Sequence, residues 1–343
     1  MRMQIWDDTQ MLNLMIADSL LVESIYQPGP YWKSKTRSAA KQAAKFGIGD
    51  FRGASNIVGL SFTDSVLLDL TTTAATPMGF VAAWLLKSTP LRRKFDAQVQ
   101  STRDYWDKYR LLRNLLWLQS GRVSDLLDRY RVSETVSAGC IDTIEIGGQV
   151  ISAHYLQLLD THDRLAQEVD YDAVTSLLEI GGGFGANVHL LISNYPMMRK
   201  FLYLDIVPNL YVGTQYLRSI FGDSVRSYRE LRGLQAIRFR DDSDLEILCI
   251  APHQLQAYEG KVDLVHNAHS FVEMPRDVVA NYAKLSGAIL ASPGTVTMVS
   301  YDGFDVATFD PNELPTFFMC EFTHSMVPKL TPGRFNYQFV GHS

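Results

Sequence analysis

The stretch E-I-G-G-G-F-G at 179–185 is the part of this sequence best suited to bind a ligand. Its glycines follow a short apolar run at 176–180 and precede a helical pattern at 186–195, so they permit a tight turn and a close approach of backbone to ligand. The start of such a helix offers free N–H groups. Asp205 belongs to the next predicted strand, 200–206, where an acid accepts both hydroxyls of a ribose. This spacing predicts a nucleotide-type site formed by Gly181, Gly182, Gly183, Gly185 and Asp205.

Two kinds of nucleotide site share this layout. The dinucleotide pattern G-x-G-x-x-G/A is met by Gly181, Gly183 and Ala186, and the methyltransferase pattern E/D-x-G-x-G-x-G is met in full from Glu179 to Gly185. Glu179 favours the second pattern, because a carboxylate suits the charged amine of S-adenosylmethionine but would repel a pyrophosphate. A third interpretation is an ordinary strand–turn–helix whose glycines serve packing. We expect S-adenosylmethionine as the cofactor.

A second group of polar residues follows the predicted strand at 261–267. Because ligands of open α/β sheets bind beyond the carboxyl ends of the strands, these side chains should face the glycine-rich loop. Transfer to a hydroxyl requires removal of its proton, for which His269 is the first candidate base and Glu273 the second. Glu273 could instead orient His269, bind a substrate hydroxyl or begin a helix, and His269 could be structural. Asn267 is expected near the cofactor, and His266 and Ser270 near the substrate, although His266 also suits a hydrogen-bonded core histidine.

Three further positions are weaker candidates. His253 and Gln254 follow the predicted strand at 245–250 and could lie beside the adenine. Trp32 belongs to the aromatic and basic segment 29–56, which could contact the substrate or pack on the next domain, and packing is favoured.

Metal ligation is not expected. His266, His269, Glu273 and Asp302 could form a site, but their spacing does not require one. The three cysteines are scattered, which indicates buried thiols in a reducing compartment rather than disulfides or a zinc site.

The surrounding pattern divides the chain near residue 140. Residues 1–140 carry a net charge of +5 and a helical periodicity, whereas 141–343 carry −10 and alternate strands with helices. Such alternation predicts a doubly wound, mainly parallel α/β sheet. Helices are predicted at 9–25, 76–88, 91–118, 122–131, 152–168, 186–195, 210–221, 253–259 and 275–285, and strands at 176–180, 200–206, 245–250, 261–267, 287–292, 317–324 and 335–342, with a Gly147-Gly148 hairpin before them.

Composition excludes several classes of protein. With 343 residues, 20% charged and 46% hydrophobic, the chain is neither disordered, collagen-like nor a coiled coil. The basic residues of the first part are mixed with acids, so nucleic acid is not an expected partner. Asp7 and Asp8 interrupt any secretion signal, and no apolar run is long enough to span a membrane, so a cytoplasmic protein is expected.

Three segments of the second part carry a recognisable pattern: LLEIGGGFGANVHLLISNYP, YLDIVPNLYVGTQYLRSIFG and VDLVHNAHSFVEMP. They resemble the sugar O-methyltransferases of bacterial polysaccharide and glycan clusters. The resemblance is sharp over about 175–275 and has no clear counterpart across 57–130. It implies a class I methyltransferase fold of seven strands ending in an antiparallel hairpin, with an N-terminal helical cap over 1–140.

The resemblance also implies site roles and a reaction. Carried over by position, Glu179, Asp205 and the loop glycines would bind S-adenosylmethionine, and Asn267, Ser270 and Glu273 would line the meeting point with a sugar hydroxyl. The alternatives are methylation of another small molecule at oxygen, nitrogen or carbon, or an inactive methyltransferase-like binding module. A homodimer is a further expectation.

Overall fold

The computed structural model describes most of the second part of the chain and selected segments of the first. The described residues are 5, 7–49, 51, 121–132, 144–146, 148–151, 153–301, 310, 313–318, 320–328 and 335–343. The helices predicted at 76–88 and 91–118, the division near residue 140, Cys140 and Asp302 lie outside them. The division of the chain into two domains therefore stays a prediction.

Nine α-helices occur in the described residues. The first helix, predicted at 9–25, ends already at Ser19, and the second, Pro30–Phe46, was not predicted, since it lies within the polar segment 29–56. The helices are α1 (Thr9–Ser19), α2 (Pro30–Phe46), α3 (Arg122–Arg129), α4 (Ala153–Leu165), α5 (Ala186–Asn194), α6 (Asn209–Phe221), α7 (Tyr228–Leu231), α8 (Arg276–Ile289) and α9 (Leu314–Phe318). Short 3₁₀ turns occur at Ser24–Tyr26, Tyr171–Ala173, Gly222–Ser224, Pro252–Ala257 and Phe271–Glu273.

Ten strands are described, of which the first two form a separate antiparallel hairpin. They are β1 (Ile144–Ile146), β2 (Gln149–Ile151), β3 (Ser176–Ile180), β4 (Lys200–Leu204), β5 (Val225–Arg226), β6 (Glu246–Ile250), β7 (Val262–Ala268), β8 (Leu290–Tyr301), β9 (Glu321–Pro328) and β10 (Phe335–His342). The main sheet has the order β5-β6-β4-β3-β7-β8-β10-β9. Strands β3 to β8 pair in parallel, and β10 is antiparallel to both of its neighbours.

The strand order confirms the predicted class I methyltransferase fold. From β3 onward, the strands other than the short β5 correspond to the seven predicted strands. The last of them, β10, forms the expected antiparallel hairpin with β9. The sheet has one strand more than the seven predicted, because the two-residue edge strand β5 is too short to show in the hydrophobic pattern.

Two predicted strand boundaries are wrong. Residues 287–289 belong to the end of α8, and β8 begins only at Leu290. The predicted strand 317–324 begins with Phe317 and Phe318, which instead end α9. In both places a short apolar run occurs where a buried helix ends beside a strand, and periodicity does not separate the two.

Apolar residues cover both faces of the main sheet. On one face, Leu177 and Phe201 belong to a buried cluster with α4, α5, α6 and residues of α1 and α2. On the other face, Leu178 and Leu202 cluster with α8 and the turn Pro252–Ala257. The sheet is therefore wound on both sides, and its polar side chains concentrate where the parallel strands end. Within the described residues, no helix is both long and apolar enough to cross a membrane.

Candidate functional site

The glycine-rich loop joins β3 to α5. Gly181, Gly183 and Gly185 have φ angles of +73°, +62° and +86°, a region that side chains other than glycine rarely enter. The amide of Gly181 donates to the carbonyl oxygen of Leu204 at 2.8 Å. Gly185 is the N-cap of α5 and provides no side-chain acceptor, so the first-turn amides of this helix remain available to a ligand.

Two loop glycines also leave no room for a side chain. A Cβ atom on Gly181 would lie 2.3 Å from Ser270 Oγ, and one on Gly182 would lie 2.6 Å from the ring of Tyr203. The loop is therefore held between the residues that follow β7 on one side and β4 on the other.

Asp205 lies directly after β4 and faces the loop. Its Oδ2 accepts a hydrogen bond from the amide of Gly183 at 2.7 Å, and its Oδ1 accepts from the amide of Ile206 at 2.6 Å. Burial raises the pKa of Asp205 to about 7, although these hydrogen bonds act in the opposite direction. A carboxylate has about four lone-pair positions, so Asp205 can hold the loop and still accept ribose hydroxyls.

Glu179 is the second buried carboxylate of the site. It lies on β3, is 4% exposed, and its Oε2 has no hydrogen-bond partner. Burial raises the pKa of Glu179 to about 8; a hydrogen bond involving Asn187 lowers it and the charge of Asp205 raises it further. A buried carboxylate with one unpartnered oxygen is suited to a cationic ligand group, since that group would stabilise its charged form.

Asn267 and Ser270 fasten the end of β7 to the glycine-rich loop. Asn267 Nδ2 donates to the carbonyl oxygen of Ile180 at 2.9 Å and to Ser270 Oγ. Asn267 Oδ1 accepts from the amide of Phe271 at 3.2 Å. Both side chains lie next to the glycine-rich loop, and their hydrogen bonds are with protein atoms. Cofactor binding by Asn267 and substrate binding by Ser270 stay predictions.

His269 has an unusual backbone conformation. Its φ of +64° is the one positive value among the non-glycine residues that the structure describes. Its amide donates to the carbonyl oxygen of Val299 at 2.7 Å, and its side chain is half-buried. Strained backbone of this kind concentrates at functional sites, where the surrounding structure holds a side chain in place.

Glu273 ends the 3₁₀ turn that follows His269. It is 8% exposed, and its charge contributes to the raised pKa of Asp205. Both candidate bases, His269 and Glu273, therefore lie at the same edge of the sheet as Asp205, and the assignment of either as base stays a prediction.

His266 lies on β7 and is 5% exposed. Its Nδ1 is 2.8 Å from Thr297 Oγ1 on the adjacent strand. Burial lowers the pKa of His266 to about 4, so the ring is neutral near pH 7. These are the surroundings of a hydrogen-bonded core histidine, and its substrate role stays a prediction.

The residues predicted beside the adenine differ in accessibility. His253 packs edge-on against Tyr228 with ring centroids 6.4 Å apart, and burial lowers its pKa. Gln254 is buried, and its amide accepts from Ala251 N at 2.9 Å and donates to the carbonyl oxygen of Leu231 at 3.1 Å. The Gln254 side chain is thus already engaged with the protein, and both adenine contacts stay predictions.

The N-terminal segment packs beside the loop. Trp32 is 7% exposed and belongs to the same apolar cluster as Phe51 and Phe184. Phe51 meets Phe184 of the glycine-rich loop edge-on at 5.2 Å. These contacts agree with the packing role favoured for the segment, while a substrate contact of Trp32 stays a prediction.

Sequence reasoning missed the polar contacts that hold α1 against this edge of the sheet. Arg232 binds Asp18 through two hydrogen bonds of 2.6 and 3.0 Å, and Tyr228 donates to Asp18 at 2.8 Å. Tyr211 donates to Asp7 and accepts from the amide of Asp8. Nothing in the local sequence signals these contacts, because the partners are about 200 residues apart.

No group of three His, Cys, Asp or Glu side chains that could hold a metal is found in the described part of the chain. Cys249 is buried and Cys320 half-buried, and both are free thiols. Burial raises the pKa of Cys249 to about 12, so this thiol stays protonated.

Comparisons with known proteins match the chain only to solved structures. No family model and no curated protein matches the sequence. Similar structures include magnesium protoporphyrin IX methyltransferase of Synechocystis PCC 6803 with bound SAM, with 9% identity, a TM-score of 0.37 and coverage of 55% of this chain and 79% of that chain. The amino pentose methyltransferase CalS10 of Micromonospora echinaspora has 12% identity, a TM-score of 0.36 and coverage of 53% and 90%.

The mitomycin 7-O-methyltransferase MmcR is also similar, with 13% identity, a TM-score of 0.36 and coverage of 56% of this chain and 57% of that chain. All three matches span a little over half of this chain. The strand order of the sheet, rather than these scores, identifies the fold.

Proposed function

We propose that this protein is an S-adenosylmethionine-dependent methyltransferase that methylates a sugar hydroxyl in a glycan or a glycosylated metabolite. The observation that carries the proposal is the glycine-rich loop between two buried carboxylates, Glu179 and Asp205, at the carboxyl ends of the central strands. A sulfonium donor with an ammonium group and a ribose matches this set of groups.

Each part of the donor has a protein group suited to it. The unpartnered Oε2 of Glu179 can receive the ammonium group, and Asp205 can accept hydrogen bonds from the ribose hydroxyls. The first-turn amides of α5 suit the donor's carboxylate, since a helix N-terminus attracts anions. When bound, S-adenosylmethionine supplies an electrophilic methyl group.

The contribution of the protein to the reaction is alignment and removal of a proton. Positioning two reactants in line accounts for much of the rate of such transfers. His269 is the proposed base. Its backbone is strained, with a φ of +64°, and it directly precedes Ser270, which lies against Gly181 of the glycine-rich loop. Glu273, buried three residues before α8, is proposed to orient His269 or bind the acceptor.

A neutral, polar acceptor agrees with the charges at this edge. Glu179, Asp205 and Glu273 are all acidic, and within the described residues neither Glu179 nor Asp205 forms an ion pair with a lysine or arginine. Such a site disfavours phosphorylated or carboxylated acceptors. The sequence resemblance to sugar O-methyltransferases adds the sugar hydroxyl as the specific acceptor class.

Calorimetric titration tests the donor, and label transfer tests the acceptor. We expect S-adenosylmethionine and its demethylated product, S-adenosylhomocysteine, to bind with about micromolar dissociation constants. With donor carrying a labelled methyl group, neutral glycosides should be methylated in preference to phenols, amines and carboxylates.

Absence of heat with both donor and product would overturn the enzyme proposal. Binding with label transfer only to amines or phenols would retain the methyltransferase and reject the sugar. Binding without transfer to any of the four classes would favour the inactive binding module.

A further inference from the structure

Tyr203 contacts the glycine-rich loop from inside the sheet, although the sequence pattern around Asp205 does not single it out. It is fully buried on β4 and pairs in register with Glu179 on β3, so the two side chains lie on the same face of the sheet. Its hydroxyl donates to the carbonyl oxygen of Gly183 and lies 3.3 Å from the carbonyl oxygen of Asn209.

The Tyr203 hydroxyl keeps its proton at any pH near neutrality. Burial raises the pKa of Tyr203 well above its ordinary value, and the charges of Asp205 and Glu179 raise it further. The hydroxyl therefore acts as a permanent donor to Gly183.

Two glycines make room for this contact. A Cβ atom on Gly213 of α6 would lie 2.0 Å from the Tyr203 hydroxyl oxygen, and one on Gly182 would lie 2.6 Å from its ring. Gly213 is in the middle of a helix with ordinary backbone, where glycine is otherwise unfavourable. The lack of a side chain at position 213 thus leaves the space that the Tyr203 hydroxyl occupies.

Both polar groups of residue 183 are held by β4 and the residue that follows it. Asp205 accepts from the Gly183 amide and Tyr203 donates to the Gly183 carbonyl. A loop of glycines has many accessible conformations, so two opposing hydrogen bonds on one residue restrict it strongly.

We propose that Tyr203 is a positioning residue, which fixes the Gly183 carbonyl and thereby holds the glycine-rich loop in the conformation that receives the donor. This inference rests on the proposed function. Tyr203 itself lies beneath the loop and acts through Gly183. Because the loop is already ordered before the donor arrives, donor binding costs less conformational entropy.

The test compares Tyr203→Phe with Tyr195→Phe. Tyr195 provides a matched control, because its hydroxyl is also hydrogen-bonded, 2.7 Å from His162 Nε2, but it follows α5 at the far end of that helix. Each variant loses one hydroxyl. The measurements are the dissociation constant for S-adenosylhomocysteine by calorimetry, the melting temperature, and amide hydrogen exchange of residues 181–185.

We expect Tyr203→Phe to bind S-adenosylhomocysteine about tenfold more weakly and to exchange its loop amides faster. Tyr195→Phe should show a similar fall in melting temperature with unchanged binding and loop exchange. Incorporation of 4-aminophenylalanine at position 203, which restores a donor at the same place, should recover the affinity.

The proposal is overturned if Tyr203→Phe binds within twofold of wild type, or if both variants lose affinity in proportion to their melting temperatures. Loss of affinity without rescue by the amino analogue would also reject it. If the wild-type protein binds neither donor nor product, the proposed function fails by itself, and unchanged loop exchange in Tyr203→Phe would separately reject the positioning role.

Discussion

The buried carboxylates Asp163, on α4, and Glu246, at the amino end of β6, differ in their surroundings from those at the carboxyl ends of the strands. Asp163 receives hydrogen bonds from Tyr130 and Arg129 and pairs with Arg122 at 2.8 Å. Glu246, which begins β6, pairs with Lys200 and Arg226. At the other end, no described lysine or arginine forms an ion pair with Glu179 or Asp205.

The pKa values of Asp163, Glu179 and Asp205 follow the same division. Burial alone would raise the pKa of Asp163, but the hydrogen bonds from Tyr130 and Arg122 outweigh burial and hold it below its ordinary value. For Glu179 and Asp205, burial prevails and raises the pKa values to about 8 and about 7. The first kind of acid stabilises the fold, whereas the second costs stability and is suited to a ligand.

The largest expected effect is on stability, at the paired end. Asp163→Asn should lower the free energy of unfolding by about 3 kcal/mol, the lower part of the range for a broken buried pair, because Arg129 is half-exposed and partly solvated. Chemical denaturation measures this change.

The control is Asp241→Asn on the exposed surface, expected to change stability by less than about 0.5 kcal/mol. Donor affinity in folded Asp163→Asn should equal that of wild type. A weaker affinity would contradict the assignment of Asp163 to stability and of Glu179 and Asp205 to donor binding.

Asp205→Asn tests the opposite end. The amide oxygen can still accept from Gly183, but the charge that strengthens hydrogen bonds from the ribose is lost, so we expect S-adenosylhomocysteine to bind about 50-fold more weakly. Removal of a buried charge is offset by loss of the hydrogen bond from the Ile206 amide, because asparagine has a single acceptor oxygen, so the melting temperature should change little. Unchanged affinity by calorimetry would contradict the ribose assignment.

Glu179→Gln should weaken donor binding by about tenfold and abolish a linked proton release. At pH 7, below the Glu179 pKa of about 8, the empty protein holds this proton, and an ammonium group that favours the carboxylate expels it. Titrations in buffers of different ionisation enthalpy count the protons released. Equal proton release in wild type and Glu179→Gln would place the linked group elsewhere.

Glu179→Gln should also change how the free energy of unfolding depends on pH. The Glu179 pKa is raised from an ordinary value of about 4.5 to about 8, so the folded state retains a proton that the unfolded chain has lost. The free energy of unfolding of wild type should therefore decline as pH rises from about 4.5 to about 8. In Glu179→Gln the decline should be smaller, with the remainder due to Asp205. A pH series of denaturation curves checks this, and identical slopes would contradict the burial of charge at Glu179.

The smallest effect on folding is expected at His269. Asparagine tolerates a positive φ, so His269→Asn should keep the melting temperature within about 1–2 °C and donor affinity within twofold, while turnover is lost. His269→Val should be about 1 kcal/mol less stable than His269→Asn, because a β-branched residue disfavours a positive φ. Wild-type turnover in His269→Asn would remove His269 as the base.

Local patterns determined much of the fold and the centre of the candidate site. The runs at 176–180 and 245–250 are uninterrupted apolar strands because both faces of a parallel sheet are buried. The glycine-rich loop is equally visible, since glycine accepts the positive φ angles at 181, 183 and 185 without steric cost. The boundary of α8 and β8 was not predictable, because a buried helix end and a buried strand have the same apolar composition.

The sequence by itself determined which residues could bind a donor, through residue type and spacing along single strands and turns. Only the tertiary structure decided which of them are already engaged: Gln254 and Asn267 bond to protein atoms, whereas Glu179 Oε2 has no such bond. Only the tertiary structure joined Tyr203, Gly183 and Gly213. The reason is physical, since hydrogen bonding and burial depend on distances between segments that a local pattern does not contain.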